Sequence, residues 1–149
     1  MSRVPASYEV SARSSAAPET VFALLADGAS WSRWAGPMVV RSWWERQGSL
    51  APGGVGAIRR LGLGALSSRE EVVEYDAPRH LGYVWLTSFP VRDYRADVHI
   101  EPDGAGSRIV WAGTFTPAFP GGGTVMRWFF LRTVGGFARR LAREAVRTS

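Results

Sequence analysis

The chain contains no cysteine, and its 18 basic residues are all arginine, with no lysine. The absence of cysteine excludes disulfides, thiolate nucleophiles and Cys-ligated metals together. Two histidines are present, His80 and His99, far apart in sequence and with no cysteine to join them. Strand alternation turns His99 outward with Arg95 and Asp97, and His80 falls in a turn, so no metal site is expected. No run of about 18 apolar residues occurs, and Met1 to Glu9 lacks the apolar core of a signal peptide. The expectation is one soluble, cytoplasmic domain over residues 1–149. No P-loop or nucleophile elbow occurs, and Gly54-Val55-Gly56 lacks the third glycine and following helix of a dinucleotide site. No cofactor and no catalytic residue are therefore assigned.

What the chain has instead is apolar and aromatic. Hydrophobic residues make up 46%, which argues against disorder. There are seven Trp, seven Phe and four Tyr, large stiff rings that can wall a core or a pocket. The net charge is +5. Beyond Gly122, six arginines (127, 132, 139, 140, 143 and 147) face one acidic residue, Glu144, so the whole excess lies in the last segment. That segment, Gly122 to Arg147, reads as one long amphipathic helix. Met126, Phe130, Val134, Phe137, Leu141 and Ala145 recur at spacings of three and four, with Arg132, Arg139, Arg143 and Arg147 on the other side. A basic face can meet anionic lipid or nucleic acid, but no nucleic-acid reader motif accompanies it. A solvated outer face, with cations near the helix C-terminus, is the plainer reading.

Upstream the pattern is mostly strand. Tyr8 to Ser14 alternates, and Pro18 opens a helix ending near Asp27-Gly28, with small residues before it able to cap. A second short helix or turn carries Trp31 and Trp34, and Gly36-Pro37 breaks it. Strands are expected at Val39 to Arg46, Val55 to Leu61, Ser67 to Tyr75, His80 to Phe89 and Tyr94 to Glu101. A last strand carries Ile109, Trp111, Gly113 and Phe115. Turns are expected at Pro52-Gly53-Gly54, Gly62-Leu63-Gly64, Asp76-Ala77-Pro78 and Asp103-Gly104-Ala105-Gly106. Consecutive strands with short links make an antiparallel sheet. The fold class is α+β: a curved seven-stranded sheet gripping the C-terminal helix, with two short helices between strands 1 and 2.

Several stretches together resemble the START-like, polyketide cyclase/dehydrase and lipid-transport superfamily, SRPBCC, with its helix-grip fold. Residues 18–34, PETVFALLADGASWSRW, look like its first helical signature. Pro52-Gly53-Gly54-Val55-Gly56 is similar to its glycine-rich turn, and Glu71 to Leu81 resembles its V-x-E-x-D-x-P-x-x-L segment. Ser107-Arg108-Ile109-Val110-Trp111 fits its penultimate element. The resemblance implies a cavity between sheet and helix, closed at one end by Trp31 and Trp34.

Strand parity groups Leu81, Tyr83, Trp85, Thr87 and Phe89 on one face, Tyr94 with Ala96 and Val98 on another, and Trp111 with Phe115 on a third. If those faces meet the helix, the ligand-binding set is Trp34, Tyr83, Trp85, Tyr94, Trp111, Phe115, Phe130, Val134, Phe137 and Leu141. The alternative is that these rings fill a solid core. Arg59 and Arg60 are adjacent in a strand and so point to opposite faces, as do Glu70 and Glu71. An inward Arg–Glu pair would make a polar anchor, and Arg59, Arg60 and Glu71 are the candidates. The alternative is that all four reach water.

Three functions follow as expectations. The first is binding or transport of a hydrophobic small molecule (lipid, polyketide or isoprenoid-like), with Trp31, Trp34 and the Pro117–Gly123 loop gating access. Transient contact of Trp128, Phe129 and the arginine stripe with an anionic membrane goes with it. The second is a polyketide cyclase/dehydratase using arginine, Glu71, Tyr83 or Tyr94. The third is a protein-interaction module using the basic helix. The oligomeric expectation is a monomer or a homodimer, with exposed Trp43 or Trp44 marking the dimer face.

Overall fold

The computed structural model describes residues 4–48, 53–62, 67–87 and 90–148. Strand β1 (Ala6–Ser14) leads into helix α1 (Pro18–Ala26), a 3-10 turn (Gly28–Ser30) and the short helix α2 (Trp31–Trp34). Six strands follow: β2 (Arg41–Arg46), β3 (Ile58–Gly62), β4 (Ser68–Asp76), β5 (His80–Trp85), β6 (Val91–Asp103) and β7 (Gly106–Pro117). Helix α3 (Gly122–Thr148) ends the chain. The sheet is fully antiparallel in the order β1-β7-β6-β5-β4-β3-β2. This is the expected helix-grip architecture.

Local differences have local causes. Pro18 does open α1, but the residue before it, Ala17, supplies no side-chain cap. Strand β5 stops at Trp85, so Thr87 leaves the face assigned to it. His80 is the first residue of β5 and pairs with His99 on β6, rather than sitting in a turn. Strand β6 starts at Val91, three residues earlier than expected, because a bulge between Arg92 and Arg95 carries pairing past the irregular stretch. Asp103 pairs with Gly106 around Gly104, whose φ of 59° suits glycine. The expectations for Pro52, Leu63, Gly64 and Phe89 lie outside the described residues.

The apolar stripe of α3 is laid into the concave face of the sheet. Met126, Phe130, Val134, Leu141 and Ala145 are buried, and Phe137 is half-buried. Phe130 sits at the centre of the grip. Its ring lies 4.9 Å from Tyr94, 5.1 Å from Phe115, 5.4 Å from Tyr8 and 5.6 Å from Trp85, centroid to centroid. Such ring pairs contribute about 0.5–1.5 kcal/mol each beyond the area they bury. One inward row crosses five strands as Val72, Tyr83, Ala96, Gly113 and Tyr8. Its middle is small, and this is where the Tyr8 ring lies: a Cβ at Gly113 would come 2.4 Å from that ring.

Candidate ligand-binding site

A cavity of about 200 Å³ lies between the inner face of the sheet and the first half of α3. Its apolar walls are Met38, Val39, Leu61, Trp85, Phe129, Phe130, Val134 and Phe137, and its polar groups come from Ser68, Glu70, Tyr83, Tyr94 and Thr133. Met38 is exposed while Phe129 and Thr133 are half-buried, so these residues form its outer rim. A larger groove, about 370 Å³, lies outside the sheet among Ser7, Glu9, Arg95, Asp97 and Arg127. It is charged and open, without the apolar enclosure of the inner cavity.

Of the expected residues, Tyr83, Trp85, Tyr94, Phe130, Val134 and Phe137 line the cavity. Trp34, Trp111, Phe115 and Leu141 do not: they are buried in the core behind it. Trp111 still reaches the site indirectly, donating from Nε1 to the Tyr83 hydroxyl at 3.2 Å. Trp31 and Trp34 are not placed as gates. Both are buried, Trp31 donates from Nε1 to Leu25 O at 3.0 Å, and Trp34 donates to Ser30 Oγ at 3.3 Å. Trp43 and Trp44 are half-buried rather than a free apolar face. Trp43 lies under Arg41 and Arg60, and Trp44 packs where Gly28 and Gly53 leave room.

The inward Arg–Glu pair is Arg59 with Glu70, and the pairing of β3 with β4 decides it. Arg59 pairs directly with Glu70, and Arg60 with Arg69. Arg59 and Glu70 therefore share the inner face. Arg60 and Arg69 share the outer one, where both bond Glu45 of β2. Glu71 also sits away from the cavity, 3.8 Å from Arg46. Arg59 is fully buried and Glu70 is 5% exposed. Arg59 Nε donates to Glu70 Oε1 at 3.1 Å and Nη1 to Leu25 O at 3.1 Å, while Nη2 is buried without a partner among the described residues. The guanidinium lies over the rings of Trp31 (4.6 Å) and Tyr83 (4.9 Å). Trp85 Nε1 donates to Glu70 Oε2 at 3.0 Å.

Burial pushes the Glu70 carboxyl up from its ordinary range, and the Arg59 charge and the bonds from Trp85 and Arg59 pull it back only in part. Burial also raises Tyr83 and Tyr94 well above the usual tyrosine value, and the nearby Glu70 charge adds to this. Tyr8 is raised for the same first reason, and its hydroxyl shares a short hydrogen bond with that of Tyr94. On the outer face, His80 Nε2 lies 2.7 Å from Asp97 Oδ1 and stacks on His99 at 4.3 Å. Among the described residues no group of three or more His, Asp or Glu is placed to hold a metal ion.

The family model described as polyketide cyclase / dehydrase and lipid transport matches residues 5–146, and the chain belongs to that family. A START superfamily protein from Mycobacterium smegmatis is similar in structure, with a TM-score of 0.80 at 13% identity over 96% of this chain and 99% of that one. Ara h 8.0201 superposes with a TM-score of 0.73 at 16% identity, covering 97% and 99% of the two chains. A protein from Thermobifida fusca, solved by solution NMR, reaches 0.71 at 26% identity, over 95% and 93%. No match was found among curated proteins. Family and fold together support hydrophobic ligand binding as the general class of function.

Proposed function

We propose that the protein binds a hydrophobic small molecule in the cavity between the sheet and α3, and carries it without chemical change. The observation that carries this reading is the cavity itself: aromatic and aliphatic walls with a few polar groups, including the buried Glu70, at the sheet side. At about 200 Å³ it falls below the roughly 300–1,000 Å³ of common ligand pockets. It suits a one- or two-ring compound, or one segment of a longer lipid, polyketide or isoprenoid-like chain. Titration of the full-length protein with small apolar compounds, followed by tryptophan fluorescence, tests the reading. Saturable quenching supports it, and no response to any compound counts against it.

Contact with an anionic membrane is a second part of the proposal. Helix α3 joins the exposed Trp128 and Val125 to Phe129 at the cavity rim, and Met38 and Val40 are exposed on the facing segment. Neither 28–44 nor 122–143 contains an acidic residue. Among the described residues, Arg33, Arg132, Arg139, Arg140 and Arg143 form no ion pair. Exposed apolar side chains on a helix that also carries arginines outside ion pairs, one of them, Arg132, lying 5.3 Å over the Trp128 ring, match the chemistry of an anionic lipid surface.

A cyclase/dehydratase activity is the alternative reading. It is favoured by the convergence of Glu70, Tyr83 and Tyr94, three groups able to hold or move protons, on one cavity. Turnover of a model poly-β-ketone, lost in Tyr94→Phe, would establish it in place of simple carriage.

A further inference from the structure

We infer that the cavity selects ligands carrying an acceptor oxygen, such as a ketone or quinone carbonyl, through the hydroxyls of Tyr83 and Tyr94. The inference rests on the cavity being a ligand site. It comes from counting donors and acceptors around the cavity. A phenol has one proton to give and also receives. The Tyr83 oxygen receives the Trp111 indole N–H, and its own proton has no protein acceptor among the described residues. Tyr8 and Tyr94 hold two protons and share one bond; with Tyr8 as its donor, the Tyr94 proton has no acceptor among the described residues and is left for a ligand in the cavity that Tyr94 lines.

The Glu70 carboxylate is nearly full. Glu70 receives Arg59 Nε and Trp85 Nε1, and Ser68 Oγ stands 3.5 Å from Oε2. A carboxylate offers about four acceptor positions, so one remains on Glu70 against the two phenol protons. Burying a donor without a partner is costly, and a ligand that supplies the missing acceptor recovers that cost. A carbonyl oxygen receives two bonds and brings no proton of its own. A hydroxyl brings a further proton into a site already rich in them. A hydrocarbon supplies nothing.

The test is the relative affinity of 1-tetralone, 1-tetralol and tetralin, which share one skeleton, for the full-length protein by isothermal titration calorimetry. The expected order is tetralone, tetralol, tetralin, with the ketone about tenfold or more tighter than the hydrocarbon, the effect of one or two recovered hydrogen bonds. Tyr83→Phe and Tyr94→Phe should each shrink the ketone's advantage over tetralin. Because Tyr83→Phe also strips Trp111 of its acceptor, the wild-type ranking and Tyr94→Phe stand independently of it. Equal affinities for all three compounds, or tightest binding of tetralol, would overturn the inference and leave the cavity reading intact. No binding of any of them would overturn both.

Discussion

Arg59 and Glu70 lie directly opposite one another on neighbouring strands and close a 3.1 Å ion pair inside the sheet's concave face. The guanidinium lies over the rings of Trp31 and Tyr83, and the Trp85 indole N–H donates to the carboxylate. Removing one partner leaves a buried charge with no counterpart. Arg59→Met or Glu70→Gln is expected to lower stability by about 3–5 kcal/mol, measured by urea unfolding. The double replacement should cost less than the two single losses added together.

Stability should fall on the alkaline side. The folded-state pKa values of Tyr8, Tyr83 and Tyr94 are raised by burial above the unfolded tyrosine value of about 10. The folded chain keeps protons that the unfolded chain releases, so this contribution is whole below about pH 10 and declines as pH rises beyond it. Absorbance at 295 nm should show these three tyrosines ionising together with unfolding, detected in parallel by circular dichroism. Ionisation of all four tyrosines with the fold intact would contradict this.

Gly113 is expected to be intolerant of any side chain. A Cβ there would lie 2.4 Å from the Tyr8 ring, which is itself fixed by Phe130 and by the Tyr94 hydroxyl. Gly113→Ala should cost about 1–3 kcal/mol by overpacking, read as a lowered Tm. Gly104→Ala meets no atom within 4 Å but carries φ of 59°, so its smaller loss would reflect backbone strain alone.

Membrane contact predicts salt-sensitive co-sedimentation with phosphatidylglycerol vesicles and none with phosphatidylcholine. Arg132→Ala should weaken the association about fivefold, in line with roughly 1 kcal/mol per arginine at an anionic surface. Trp128, 62% exposed, anchors the apolar part, and Trp128→Ala should weaken binding with little change in Tm. Binding that ignores salt would count against the idea.

The architecture was legible because its signals are periodic. The spacing from Met126 to Ala145 gave the helix its buried face, and strand alternation placed Tyr83, Trp85 and Tyr94 inward. The cavity boundary was less so. Parity tells which face a residue takes, but it does not separate a lining ring from one packed behind it, and Trp111 and Phe115 are the examples. The choice of Glu70 over Glu71 depends on the register between β3 and β4, which the glycine-rich link between them does not reveal. Met38, Leu61, Ser68, Phe129 and Thr133 reach the cavity from the turn before β2, from strand ends and from a helix flank, where no periodic signal marks them.

The most direct test of ligand carriage is native mass spectrometry of the freshly purified protein beside Val134→Phe, with solvent extraction of both. Val134 lines the cavity, and a phenyl ring there would fill part of it; circular dichroism would verify that the variant folds. The account predicts a reproducible added mass on the wild-type protein, recovered as an apolar compound and lost or much reduced in the variant. A bare wild-type mass that no apolar compound shifts, or an added mass retained in full by folded Val134→Phe, would contradict it.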